Sequence, residues 1–75
     1  MVKVYSKDNC GSCMVTKNFL KMKGIPFIDI DITKDKDATS YIASLGYRTL
    51  PVVVSDHGHW SGHNPAKLSN LTSSK

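Results

Sequence analysis

Asn9-Cys10-Gly11-Ser12-Cys13 holds both cysteines of this chain. Two cysteines separated by two residues can close a disulfide or share a metal ion, and only the local structure decides which. Upstream, Val2-Lys3-Val4-Tyr5-Ser6 is rich in β-branched and aromatic residues in an alternating pattern, which predicts a strand. Downstream, Met14 to Lys23 predicts a helix. The pair therefore falls on a strand-to-helix turn, with Cys10 at or just before the helix N-terminus and Cys13 one turn inside. Unpaired backbone N–H groups and the positive end of the helix dipole favour a negative group there, so a Cys10 thiolate is stabilised relative to the thiol. Cys13 lies on the same side of the helix, within reach of Cys10 and partly shielded by it. An exposed nucleophile with a resolving partner is the layout of a dithiol redox site.

Outward from this turn, the helix should run from about Gly11 to Lys23, with Thr16, Phe19, Leu20 and Lys23 on one side, Lys17 and Lys21 facing water and Gly24 as its stop. After Pro26, Phe27-Ile28-Asp29-Ile30-Asp31-Ile32 alternates as a second strand. Strand, helix and strand in this order make a βαβ unit, with parallel strands and a right-handed crossover. Asp29 and Asp31 could tune a nearby thiol; the simpler reading makes them solvent- or edge-facing strand residues. Asp35 is a credible N-cap for a second helix, in which Ala38, Tyr41, Ile42 and Leu45 recur at packing intervals before Gly46 ends it. Leu50-Pro51-Val52-Val53-Val54 is a strand opened by proline, and Asp56-His57-Gly58 supplies the turn of an antiparallel hairpin with His59-Trp60. Asn64 and Pro65 read as the cap and first turn of a last helix carrying Leu68 and Leu71, with a frayed tail from Thr72 to Lys75.

The chain has 75 residues, enough for one domain, residues 1–75, with a small core. Ten Lys+Arg against six Asp, with no Glu, give a net charge of +4, yet no basic run or aromatic ladder accompanies it. Nucleic-acid binding is therefore disfavoured, and a solvated surface suited to acidic protein partners is expected. A strand pattern begins at Val2 where a signal peptide would stand, and no apolar run approaches membrane length. A cytoplasmic location is expected, with no membrane association. In a reducing cytosol two cysteines make a poor structural staple, which moves weight toward catalysis or metal binding.

The order β-α-β-α-β-β-α, the early C-x-x-C and the mid-chain Pro51 resemble the α/β thioredoxin fold in its minimal, glutaredoxin-sized form. That fold has a four-stranded mixed sheet with helices on both faces. Two further segments, Gly46-Tyr47-Arg48-Thr49-Leu50-Pro51-Val52-Val53 and Trp60-Ser61-Gly62-His63-Asn64-Pro65, are similar to the G-[FY]-R-x-L-P-V-V and W-S-G-F-x-P signatures of the NrdH-redoxins. Gly11-Ser12 stands where that family more often has a hydrophobic residue followed by Gln, and His63-Asn64 where it has Phe followed by a basic residue. The resemblance implies a monomeric dithiol-disulfide oxidoreductase that donates electrons to ribonucleotide reductase. It would be recharged by thioredoxin reductase, with no cofactor beyond the redox-active Cys10–Cys13 pair. It implies a cis Leu50–Pro51 bond beside the dithiol. It also implies a partner-binding surface of Gly11, Ser12, Arg48, Thr49, Leu50, Pro51, Trp60, Ser61 and Gly62, in which Trp60, Ser61 and Arg48 form a network. For Trp60 the plainer reading is an aromatic that covers the sheet end.

Cys10 thiolate would attack a partner disulfide, and Cys13 would then attack the Cys10 sulfur, releasing the reduced partner. Proteins of this type lie at roughly −200 to −270 mV, so a reductant is expected. One alternative is a glutathione-dependent glutaredoxin. Such proteins usually carry an acidic pair after the glycine of the last turn, whereas Gly62 is followed here by His63-Asn64, although Lys7 and Arg48 could take a glutathione carboxylate. The other is a metal-binding module built from His57, His59 and His63 with the two cysteines, against which the three read simply as exposed turn histidines.

Overall fold

The computed structural model describes residues 2–56 and 58–72, with the side chains of Asn70 and Thr72 set aside. The expectations for His57, in the hairpin turn and as a metal ligand, and for the end of the tail, 73–75, lie outside the described residues. The elements follow in the order β1 (Val2–Ser6), α1 (Gly11–Met22), β2 (Phe27–Asp31), α2 (Lys36–Ser44), β3 (Val52–Ser55), β4 (Gly58–Ser61) and α3 (Pro65–Thr72).

The four strands form one sheet in the order β2-β1-β3-β4. β1 and β2 are parallel in the register Val4 to Asp29, as the βαβ reading requires, while β3 is antiparallel to both β1 and β4. Alternation along the strands sorts the apolar side chains onto two faces. On one face Val2, Val4, Val53 and Trp60 pack with Leu20 of α1 and Leu68 of α3. On the other, Tyr5 and Val52 pack with Ala38 and Ile42 of α2. The result is the mixed four-stranded sheet with helices on both faces expected of a minimal thioredoxin fold.

Local chemistry sets the helix ends. Asp35 is in an extended conformation and its carboxylate accepts the Ala38 N–H at 3.1 Å, capping α2. Asn64 does the same for α3, accepting the Lys67 N–H at 3.2 Å ahead of Pro65. Past α1 the chain turns at Gly24, where φ is +69°, a left-handed value that glycine adopts without a Cβ clash.

One side chain departs from the expected pattern. Lys17, expected to face water, is folded back onto the sheet. Its ammonium lies 3.1 Å from Asp29 Oδ2 and 3.4 Å from Ser6 Oγ, while the Ser6 hydroxyl donates to Asp29 Oδ1 at 2.8 Å. The reason is that Ser6, at the end of β1, and Asp29, in the middle of β2, lie on the α1 face of the sheet, where a long amphipathic stem can bring its charge to them. Asp31 turns instead to its own loop, accepting the Thr33 hydroxyl at 2.6 Å and the Thr33 N–H at 2.9 Å.

Candidate active site

The turn from β1 into α1 is made by Asp8 and Asn9, and Asn9 has φ +61°, a left-handed conformation that asparagine accepts more readily than most side chains. This turn delivers Cys10 as the N-cap of α1, with φ −105° and ψ 104°. Cys10 and Cys13 are joined as a disulfide with Cα atoms 5.2 Å apart. The Cys13 N–H donates to Cys10 Sγ at 3.2 Å, so the first turn of α1 points a backbone donor at the sulfur that a thiolate would charge. Cys13 is fully buried, whereas Cys10 is partly exposed. The shielding expected of Cys13 from its place on the helix is therefore complete in the folded chain.

Cys10 opens onto a groove of about 520 Å³ whose walls include Lys7, Ile42, Tyr47, Arg48, Thr49 and Leu50. The Ser12 hydroxyl donates to the Leu50 carbonyl at 3.2 Å, which ties the C-x-x-C loop to the segment before Pro51. The Leu50–Pro51 bond is cis, as expected, and Pro51 is buried. Beyond it the Gly62 N–H donates to the Pro51 carbonyl at 2.7 Å, and the Thr49 hydroxyl donates to Ser61 Oγ at 3.2 Å. Gly11 and Ser12 are exposed at the mouth, and next to them Met14 and Val15 present apolar side chains that are 60% and 51% exposed.

The fold thus gathers Cys10, Gly11, Ser12, Cys13, Arg48, Thr49, Leu50, Pro51, Ser61 and Gly62 at one end of the sheet. Trp60 is the exception. Its side chain enters the core with Val2, Val4, Leu20, Val53 and Leu68, and Lys67 lies 5.7 Å above its ring. The expected network of Trp60, Ser61 and Arg48 is not formed: among the described residues Trp60 Nε1 has no hydrogen-bond partner, Ser61 is bonded to Thr49, and Arg48 lines the groove. Alternation explains this, since Trp60 pairs with Val53 and shares its face, whereas Ser61 pairs with Val52 at the sheet end.

The described histidines are dispersed. His59 Nδ1 is 2.6 Å from the Tyr47 hydroxyl, and His63 Nδ1 is 2.9 Å from Thr16 Oγ1. Among the described residues no group of three or more His, Cys, Asp or Glu side chains is placed to hold a metal ion. Sequence reasoning missed the part played by Thr16, which reads from spacing only as one more residue of a helix stripe. Its buried hydroxyl facing a loop histidine depends on where the last loop crosses α1.

Comparison with known proteins agrees with this geometry. Residues 2–60 match the glutaredoxin family model. The chain is 35% identical over 71 residues to the glutaredoxin-like protein NrdH of Lactococcus lactis subsp. cremoris, covering 95% of this chain and 99% of the relative. It belongs to the glutaredoxin family, in its NrdH-redoxin branch. The Salmonella typhimurium NrdH protein is 30% identical over 70 residues, covering 93% of this chain and 86% of that one. Among solved structures, the Escherichia coli NrdH-redoxin, a glutaredoxin-like protein described as having a thioredoxin-like activity profile, superposes with a TM-score of 0.91. It is 28% identical, with 93% of this chain and 92% of that chain covered. A buckwheat glutaredoxin solved with glutathione superposes with a TM-score of 0.74 at 26% identity, covering 96% of this chain and 76% of that one. As a member of the glutaredoxin family the chain is a thiol-disulfide oxidoreductase, with Cys10 and Cys13 at bonding distance.

Proposed function

We propose that this NrdH-redoxin carries electrons from thioredoxin reductase to ribonucleotide reductase in the cytoplasm, as a monomer that needs no cofactor beyond the Cys10–Cys13 pair. The observation that carries this reading is how the last loop uses its polar atoms. In the glutathione-using relatives an acidic pair beside this glycine holds the amino group of glutathione. Here Asn64 Oδ1 is occupied by the Lys67 N–H and His63 Nδ1 by Thr16, and neither side chain carries a charge opposite to an ammonium. The groove wall, with Lys7 and Arg48, suits an acidic extended segment of a protein partner, and exposed Met14 and Val15 offer apolar contact at its edge.

The mechanism balances as follows. The Cys10 thiolate, stabilised by the α1 N-terminus, attacks one sulfur of the partner's disulfide, and the other partner sulfur leaves as a thiolate and takes a proton. Cys13 loses its proton and attacks Cys10 Sγ. The partner's second thiol departs, and Cys10–Cys13 is left oxidised. Pro51, Leu50 and Thr49 place the partner chain beside Cys10, while the small Gly11 and Ser12 leave room for its approach.

NADPH consumption should be sustained when the oxidised protein is mixed with NADPH, thioredoxin reductase, a class of ribonucleotide reductase that accepts NrdH-redoxins and its ribonucleotide substrate, and should stop when the ribonucleotide is left out. Glutathione alone should reduce the oxidised protein slowly or not at all. Efficient reduction by glutathione with no turnover by thioredoxin reductase would replace this reading with that of a glutathione-dependent glutaredoxin.

A further inference from the structure

Four hydrogen bonds form a closed circuit around the dithiol. Ser12 of α1 donates to the Leu50 carbonyl, Thr49 to Ser61, and the Gly62 N–H to the Pro51 carbonyl; His63 then returns to α1 through Thr16. In the last link His63 stands where the signature this sequence resembles has phenylalanine. Thr16 is fully buried, so its hydroxyl has left water and meets the imidazole Nδ1 at 2.9 Å. It lies three residues beyond Cys13, on the same side of α1. Phe19, one further turn along, meets the same imidazole edge-on with ring centroids 6.4 Å apart. The histidine is thus held by one polar and one aromatic contact on a single helix.

From this we infer that His63 is a positioning residue: through Thr16 it clamps the Ser61-Gly62-His63 turn to α1, and so fixes the Pro51 edge on which a protein disulfide docks. The inference rests on the proposed docking of partners along residues 49–51. The clasp is the 2.9 Å hydrogen bond between the buried Thr16 hydroxyl and Nδ1 of the ring. Among the described residues no hydrogen bond joins it to Cys10 Sγ, whose hydrogen-bond partners are Ser12 and the Cys13 N–H, so it governs the fit of a large partner and not the intrinsic reactivity of Cys10.

Two disulfides of different size separate these effects. The pre-reduced protein is mixed with insulin, a protein disulfide, or with 5,5′-dithiobis(2-nitrobenzoate), which needs access only to Cys10. Thr16→Val and His63→Phe should each lower the second-order rate constant with insulin by roughly three- to thirty-fold, which falls within the range of couplings between residues in contact. Both should leave the rate with the small disulfide within about twofold of the parent, on the separation of docking from chemistry. The double variant should be no slower than either single one, because both remove the same link. His63→Asn, whose amide can accept from or donate to the Thr16 hydroxyl at a similar reach, should recover most of the insulin rate, a result that loss of folding would not produce. Unchanged insulin rates, equal losses with both disulfides or additive effects in the double variant would overturn the clasp. A parent chain that consumes the small disulfide but leaves insulin intact would overturn the docking reading, and the clasp with it.

Discussion

At the scale of single residues, two side chains give sharp expectations. Trp60 is 8% exposed, and among the described residues its indole N–H has no partner, so its contribution is apolar volume set against an unpaired donor. Trp60→Phe removes the donor and keeps most of the ring. It should change the unfolding free energy by less than about 1.5 kcal/mol, whereas Trp60→Ala should cost about 3–5 kcal/mol. Urea unfolding of the two variants gives the comparison, and equal losses would show that the indole N–H has a partner in solution. Asp31 is held below the usual carboxylate range, first by the Thr33 hydroxyl and then by the Thr33 N–H. Since its folded value is the lower one, its stabilising effect is present above the unfolded value of about 4 and is lost as pH falls through the folded value. Thr33→Val should therefore flatten the acid limb of a Tm against pH profile, and an unchanged limb would argue against this bond. The pair at Cys10 and Cys13 was legible in the sequence because a helix start and a three-residue spacing are local facts. For Trp60 the plainer reading, an aromatic covering the sheet, agrees with its burial, while its place beside Val53 depends on the register of β4 against β3, which no residue near Trp60 announces.

At the scale of elements, capping and alternation carry most of the organisation. Asp35→Ala should cost about 1 kcal/mol by removing the cap of α2, measured again by urea unfolding, while leaving β1 and β2 paired. Strand and helix bounds were readable because alternation, Gly24, Gly46 and the Asn64-Pro65 pair are signals written over a few residues. The hairpin bounds were read less well: the strand read as Leu50 to Val54 runs from Val52 to Ser55, and the one read as His59-Trp60 runs from Gly58 to Ser61, because Ser55, Gly58 and Ser61 lack the β-branched or aromatic character by which strands are recognised. Lys17 was misread for a related reason. Its helix position faces outward by the usual pattern of charge, yet Ser6 and Asp29, eleven and twelve residues away in sequence, come close enough in space to hold it.

At the scale of the molecule, a chain of this length should have roughly 4–11 kcal/mol of stability in total. Leu68, fully buried where α3 meets the sheet, should cost about 2–5 kcal/mol when changed to Ala, a large share of that total. Scanning calorimetry should show that loss as a lower Tm, and an unchanged Tm would mean that α3 is not docked. The position of the dithiol follows from the whole arrangement. The parallel β1 and β2 end at the same side of the sheet, α1 begins there, and the segments 49–51 and 61–62 return to it from the antiparallel half. One end of the sheet therefore holds a sulfur at a helix start, a second sulfur beneath it and a groove beside both. The most direct test is differential alkylation of the reduced protein with limiting iodoacetamide at pH 7, the sites being read by peptide mass spectrometry. Carboxamidomethylation confined to Cys10, with Cys13 modified only after unfolding, is the predicted result. Faster modification of Cys13 in the folded protein would contradict the assignment of nucleophile and resolving thiol.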